Sequence, residues 1–481
     1  MDALQEVPVA SLSPERFRAL LADRYEEVDE AIATARDLLS GRVVWHVNST
    51  ARGGGVAELL HSLLAYARGA GVDVRWMTIS GNPDFFRVTK RIHNRLHESE
   101  GDGGPLGPAE REIYDAALRE AAKELVELVR PGDVVYIHDP QPAGLVPHVV
   151  AADVKVIWRC HIGVDQPGEL ARTAWDFLRP YVRDADAYVF SRERFVWEGL
   201  DDSRIWIIPP SIDAFSPKNQ DLDPEAVRSI LAATGVGEPD HHTRALFHRF
   251  DGSQARVGRR AEVVQDGPVP DDAPLISQVS RWDRLKDPVG VLLGFAEYAK
   301  TSGVHLLLAG PSVAGVTDDP EGAEVLAEVS GRREALAPEK RGRVHLASLP
   351  MDDIEENAAM VNAIQRRSDV ILQKSLAEGF GLTVAEAMWK AKPVVASRVG
   401  GIQDQIEDGV SGVLIDDPTD LEAVARAVDG FLEDPARAAE VGNAARQRVL
   451  GQFLGTRSLT QYMDLLEGLL APEPAEPASP A

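Results

Sequence analysis

Arg42-Val43-Val44-Trp45-His46-Val47-Asn48 runs directly into Ser49-Thr50-Ala51-Arg52-Gly53-Gly54-Gly55-Val56-Ala57-Glu58-Leu59-Leu60. The first stretch is short, apolar and carries β-branched residues, which suits a buried strand. The second is a glycine-bearing turn that opens a helix. Strand, tight loop and helix form the repeating unit of a parallel sheet, because parallel neighbours need a crossover. Similar apolar runs recur at 72–79, 133–137, 154–158, 187–190 and 205–208, with helical patterns between most of them. The rhythm breaks after 215 and restarts at Pro274-Leu275-Ile276-Ser277-Gln278-Val279-Ser280. Further strand candidates follow at 304–309, 343–346, 369–372, 393–396 and 412–415. The expected fold class is α/β, with two Rossmann-like doubly wound domains facing a cleft.

The outer parts of the chain complete this division. Ser13-Pro14-Glu15 has the pattern of a capped helix start, so residues 1–215 are expected to form an N-terminal domain with a helical extension. Residues 216–273 are expected to be a linker or surface excursion between the domains and not a third domain; within them, 252–272 is rich in Gly, Asp, Arg and Pro and has little apolar period. Residues 274–450 make a second domain, in which Leu421, Val424, Ala425, Val428 and Leu432 share a helix face. The helix at 451–470 is expected to return toward the first domain, and 471–481 to be a disordered tail of Pro, Ala and Glu.

Composition narrows the function. The chain has 481 residues, 44% hydrophobic and 26% charged, ordinary values for a folded protein. Its net charge of −25 disfavours nucleic acid and anionic membranes as bulk partners. Cys160 is the one cysteine, which rules out an intrachain disulfide and a cysteine zinc site and suits a reducing cytoplasm. Residues 1–16 lack the basic and apolar regions of a signal peptide, and no run reaches about 18 apolar residues. A cytoplasmic location is expected.

Three loops carry candidate chemistry. The glycines after Asn48 let the backbone approach an anion at a helix start, although neither GxGxxG nor a Walker loop is present; a plain strand-to-helix turn explains them equally well. Ser280-Arg281-Trp282-Asp283-Arg284-Leu285-Lys286-Asp287-Pro288 follows the first strand of the second domain. Arg281 and Lys286 are near enough in sequence to address one phosphate pair, or else they form a solvated basic turn. Gln373-Lys374-Ser375-Leu376-Ala377-Glu378-Gly379-Phe380-Gly381-Leu382-Thr383-Val384-Ala385-Glu386 ends a strand and starts a helix. Its carboxylates suit sugar hydroxyls and its loop amides suit a phosphate oxygen, with capping and solvation as the alternative.

Glu378 and Glu386 match the Glu-x7-Glu signature of retaining GT-B glycosyltransferases. Longer strings bring the chain closer to one family: HVNST with GGGVAE, VTKRIHN at 88–94, HDPQP at 138–142, WRCHI at 158–162, PPSID at 209–213, QVSRWDRLKDP at 278–288 and LQKSLAEGFGLTVAEAMWKAKPVV at 372–395. The chain thereby resembles the trehalose synthases of the glycosyltransferring type. That resemblance implies transfer of glucose from ADP-glucose or UDP-glucose to free glucose, reversibly, giving α,α-trehalose. It implies that Arg281 and Lys286 hold the diphosphate, and that Glu378 with the amides of Gly379 and Phe380 binds the donor sugar. His161 would lie near the reacting carbon, Glu386 on the ribose, and Gly53, Gly54, Gly381, Leu382 and Thr383 along the nucleotide sugar. Asn48, Arg52, Lys90 and His138 would serve the acceptor. The architecture implies no permanently bound cofactor and requires no metal, while leaving room for stimulation by Mg2+ and for a homodimer. A trehalose phosphorylase, another retaining GT-B transferase and, more remotely, a nucleotide-sugar epimerase stay open.

Other signals have plainer readings. Asp184-Ala185-Asp186 has a DxD form but precedes a strand. His93 and His97 lack the glutamate of an HExxH zinc site. Cys160 and Trp282 are expected to pack in cores, and His138 either caps a strand end or lines the site.

Overall fold

The computed structural model describes residues 3–51, 55–240, 244–313 and 320–471. The chain divides into two compact units, Met1–Pro210 with Gly455–Ala481, and Ser211–Leu454.

The first unit is built on a seven-stranded sheet. Its strands are β1 (Leu4–Val7), β2 (Val44–Asn48), β3 (Val74–Ile79), β4 (Val134–His138), β5 (Lys155–Cys160), β6 (Ala187–Phe190) and β7 (Ile205–Ile207), in the order β1-β3-β2-β4-β5-β6-β7. All neighbours are parallel except β1, which pairs antiparallel with β3 at the edge. Side chains alternate between the faces. Trp45, Val47, Val135, Ile137, Val156 and Trp158 pack on one side, under the helices Pro83–Leu96, Pro108–Leu128 and Glu169–Val182. Val44, Val74, Trp76, Val134 and Tyr136 pack on the other. The helix Gly455–Leu470 covers this second face beside Tyr25–Leu38, burying Tyr462, Met463, Leu465 and Leu466. Ser13 accepts a hydrogen bond from the Glu15 amide at 3.3 Å, but the element it caps is a single 3-10 turn, Pro14–Phe17.

The hairpin β8 (Leu246–His248) and β9 (Gln254–Arg256) belongs to the second unit. That unit's main sheet has seven strands: β10 (Glu262–Val264), β11 (Leu275–Val279), β12 (His305–Pro311), β13 (Val344–Leu349), β14 (Val370–Gln373), β15 (Val394–Ser397) and β16 (Val413–Ile415). Their order is β10-β13-β12-β11-β14-β15-β16, parallel except for β10. Both sheets are therefore doubly wound, with apolar layers on each face.

The segment 216–273 is a folded part of the second unit and not a linker. It supplies the helix Pro224–Thr234 and three strands, one of which extends the main sheet. Val227, Ile230, Leu231, Phe247 and Val257 join the core beneath Met360 and Ile364. The reason the sequence hides this is local. Strands of three residues are too short to show a period, and much of the binding is polar. Glu356, 3% exposed, accepts from the amides of Gly258 (2.6 Å) and Arg259 (2.7 Å) and pairs with the Arg259 guanidinium. The tail from 472 onward lies outside the described residues, as do 52–54.

Replacing Glu356 with Ala strands two main-chain donors. The variant is expected to lose about 2–4 kcal/mol of stability in chemical denaturation; an unchanged midpoint would show that the segment is held by its apolar contacts alone.

Candidate active site

The second unit's strand order reverses at β11, whose neighbours are β12 and β14. Helices leave toward opposite faces on either side of such a point, which frees the loops beyond the carboxyl ends of the central strands. Those loops are 280–287 after β11 and 374–381 after β14. Buried Gln278 stitches them together: its Nε2 donates to the Lys286 carbonyl at 2.8 Å, and its Oε1 accepts from the Lys374 amide at 2.9 Å. The Leu376 amide donates to the Leu285 carbonyl at 2.7 Å, and Lys374 pairs with Asp287.

This stitching brings Lys286 Nζ to 2.6 Å from Glu378 Oε2, with the two side chains 14% and 11% exposed. Ser375 also donates to that oxygen, at 3.2 Å. Arg281 is half-exposed, and one guanidinium nitrogen lies 2.8 Å from Asp283, whose other oxygen caps the turn Arg284–Lys286 through the Leu285 amide. Gly379, Phe380 and Gly381 complete the loop. No described residue accepts a hydrogen bond from their amides, while their carbonyls are engaged: Gly379 by the Gly401 amide, Phe380 and Gly381 by Gln405. Gly381 stands at φ +81 and opens the helix Leu382–Trp389, so Leu382 and Thr383 occupy its first turn. Gly400, at φ +50, presses on the Glu378 carbonyl, where a Cβ has no room. The loop's shape thus depends on glycine at both places.

Glu386 is buried on the helix Leu382–Trp389. Its Oε1 is 3.2 Å from Lys218 Nζ, so the two signature glutamates bind different lysines. No motif in the sequence marks Lys218. It arrives because Asn219, 2% exposed, accepts from Trp389 Nε1 at 3.1 Å through its carbonyl and from Lys390 Nζ at 2.9 Å through its side chain. Nothing in the local sequence marks that docking.

In the first unit the strand order reverses between β2, β3 and β4. Asn48 ends β2 and His138 ends β4, while His161 follows β5. Asn48 is a structural clamp. Its Oδ1 accepts from Trp76 Nε1 at 2.8 Å and its Nδ2 donates to the Thr50 carbonyl at 2.7 Å. Lys90 is exposed on the helix Pro83–Leu96, opposite buried Phe85, Val88 and Ile92. Arg52, Gly53 and Gly54 lie outside the described residues. His138 is buried and joins two other imidazoles: Nε2 is 3.0 Å from His46 Nδ1, and Nδ1 is 3.3 Å from His161 Nε2. It stands at the strand end, with both ring nitrogens engaged by other imidazoles. The His161 amide donates to Asp139 Oδ1 at 2.7 Å.

Burial controls the charge here. It lowers His46 to about 3. Burial also drives His138 and His161 well down, helped by the Arg159 guanidinium and, for His138, by its imidazole neighbours. Burial raises Asp139 to about 7 and pushes the Cys160 thiol up, consistent with an inert core residue. Asp186 accepts from the Val156 amide at 2.8 Å and pairs with Lys155, a strand-end role. No group of three or more metal-ligating side chains occurs among the described residues, and no described helix is long and apolar enough to cross a membrane.

Residues 46–197 match the model "Trehalose synthase, N-terminal domain" and 260–448 match "Glycosyl transferases group 1". The chain is 37% identical over 456 residues to trehalose synthase of Pyrococcus horikoshii, spanning 95% of this chain and 96% of that protein. It belongs to the trehalose synthase family. Membership in this family, with its group 1 domain, makes the chain a glycosyltransferase. Trehalose phosphorylase of Pleurotus sajor-caju is more distant, 27% identical over 430 residues, spanning 84% of this chain and 54% of that protein. Among solved structures, an alpha,alpha-trehalose-phosphate synthase (UDP-forming) from Burkholderia xenovorans in complex with glucose-6-phosphate has TM-score 0.65 and 16% identity, covering 89% of this chain and 100% of that one. That likeness supports the fold, GT-B.

Buried His46 and His138 and half-buried His161 make stability depend on acid. Their folded values lie below the ordinary ~6.5, so the unfolded chain binds more protons once the pH falls under ~6.5. Stability conferred by the neutral rings is whole above ~6.5 and is lost progressively on acidification. Asp139 opposes this between ~4 and ~7, as one carboxyl against three imidazoles. Thermal unfolding of the full chain is expected at lower temperature at pH 5 than at pH 7, and His138→Phe should flatten that dependence.

Proposed function

We propose that this protein is a retaining glucosyltransferase that moves glucose from a nucleoside-diphosphate glucose to free glucose, forming α,α-trehalose and a nucleoside diphosphate. The observation that carries the reading is the Lys286–Glu378 pair, set 2.6 Å apart beside the unengaged amides of Gly379, Phe380 and Gly381 at the second unit's strand-order reversal. A carboxylate for sugar hydroxyls, a cation for phosphate and amides for oxyanions are what a nucleotide sugar needs. The near-complete span of the trehalose synthase relative, against 54% of the phosphorylase, supports the synthase over the phosphorylase.

In the proposed reaction the anomeric C–O bond to the diphosphate breaks, a bond to an acceptor oxygen forms, and the acceptor proton leaves on a donor phosphate oxygen. The sugar gains oxocarbenium character while negative charge grows on the diphosphate. Lys286 and Arg281 stabilise that charge, more strongly in the transition state than before it. Glu378 orients the donor glucose and holds Lys286 in place. Glu386 accepts from the ribose, with Lys218 fixing its position. His161 is assigned to the donor sugar, and Arg52, Gly53 and Gly54 keep the acceptor and phosphate roles that the family resemblance implies.

Lys286→Ala and Arg281→Ala are each expected to lower kcat/KM by about 10- to 150-fold, or about 1.5–3 kcal/mol of charge-assisted bonding. Wild-type kinetics in both would remove the diphosphate role. The reaction itself is tested by incubating the protein with glucose and ADP-, UDP- or GDP-glucose in turn and identifying the disaccharide by NMR. α,α-Trehalose with release of nucleoside diphosphate is expected. Glucose 1-phosphate from trehalose and phosphate, with no nucleotide, would assign a phosphorylase.

A further inference from the structure

Three imidazoles from three adjacent strands form one line in the first unit. His46 on β2 meets His138 on β4 at 3.0 Å, and His138 meets His161 beyond β5 at 3.3 Å. The rings are near-parallel, 23° and 15° apart, and Tyr136 lies flat on His46 at 4.6 Å, 2° from parallel. His46 and His138 are 4% and 2% exposed. The groups around them are Tyr136, Tyr462, Asp139 and Arg159. Arg159 is committed to the carbonyls of Phe190 and Ile208.

A neutral imidazole carries one N–H, so each bond in such a line fixes the next ring. Only two arrangements satisfy both contacts. In one, His46 Nδ1–H donates to His138, His138 Nδ1–H donates to His161, and His161 keeps its proton on Nδ1. In the other every proton sits on Nε2. The far end decides between them. His46 is among the residues that line an apolar cavity of about 70 Å³, with Val44, Leu63, Leu64, Leu459 and Met463, and no described residue bonds its Nε2. An N–H at Nε2 would therefore lack a protein acceptor, which proteins tolerate less readily than an idle lone pair. The first arrangement is therefore favoured.

We propose that His46 and His138 are positioning residues that hold His161 as its Nδ1–H tautomer, so that it meets the sugar as a hydrogen-bond donor. Contact between His161 and the sugar rests on the function proposed above; the tautomer does not. Burial keeps the line uncharged, so it orients His161 and does not make it a base.

The test is 15N NMR of imidazole nitrogens in the full chain without ligand, assigned by single substitutions, together with transfer kinetics. His46, His138 and His161 are each expected to show a protonated Nδ1 and an unprotonated Nε2. His46→Phe keeps the stacking on Tyr136 but removes the donor. It should give His161 a mixture of tautomers and lower kcat about tenfold with donor KM little changed. His46→Asn, whose amide nitrogen replaces Nδ1, should recover the single tautomer and most of the lost rate. A protonated Nε2 on His161 in the wild type overturns the proposal whether or not any variant folds, as does a His46→Phe variant with His161 unchanged. The expected tautomers without glucosyl transfer from any nucleotide sugar would instead overturn the functional reading.

Discussion

An ammonium and a carboxylate in contact, Lys286 and Glu378, hold together two loops that are far apart in sequence and adjacent only because β11 and β14 are neighbours. Both groups are largely shielded from water, so removing either would leave the other costly to keep. Gln278 makes the arrangement stiff by bonding the main chain of both loops from a fully buried position. The glycines at 381 and 400 then let the Glu378 loop turn back on itself without collision. Pair, strut and glycines are one device. It keeps a cation, a carboxylate and a set of amides in fixed relation before any ligand arrives, which is the condition for electrostatic stabilisation at low reorganisation cost.

The first unit uses the same architecture for opposite chemistry. Its strand-order reversal also frees loops at strand ends, but the groups gathered near it are imidazoles kept neutral by burial, with Tyr136 stacked on His46. Charge in the second unit is matched by a counter-charge. In the first it is suppressed by burial, which leaves hydrogen bonds between neutral rings. Two doubly wound sheets thus offer different tools, although their strands and crossovers obey the same rules.

The strand–glycine–helix loops were legible because each requirement is local: a buried apolar run, a turn only small residues can make, and a helix start. Lys286, Glu378 and Glu386 were legible through their spacing in such loops. Their partners were not. Lys218 reaches Glu386 from 168 positions earlier, and its docking depends on Asn219 finding Trp389 and Lys390, a match with no period. The segment 216–273 failed for the related reason that its short strands draw their order from Glu356 and from the apolar face of the helix Ile354–Arg367. Asn48 sits at the expected strand end, yet its amide is committed to Trp76 and Thr50.

Hydrophobic patterning and glycine placement in the chain were sufficient to determine two doubly wound sheets and the loops that carry polar groups at their ends, because alternation and turn geometry act over a few residues. Which lysine faces which glutamate, and that His46, His138 and His161 form one line, was decided only by strand order. That order brings residues 46, 138 and 161 side by side, and hydrogen bonds between imidazoles exist only at contact distance.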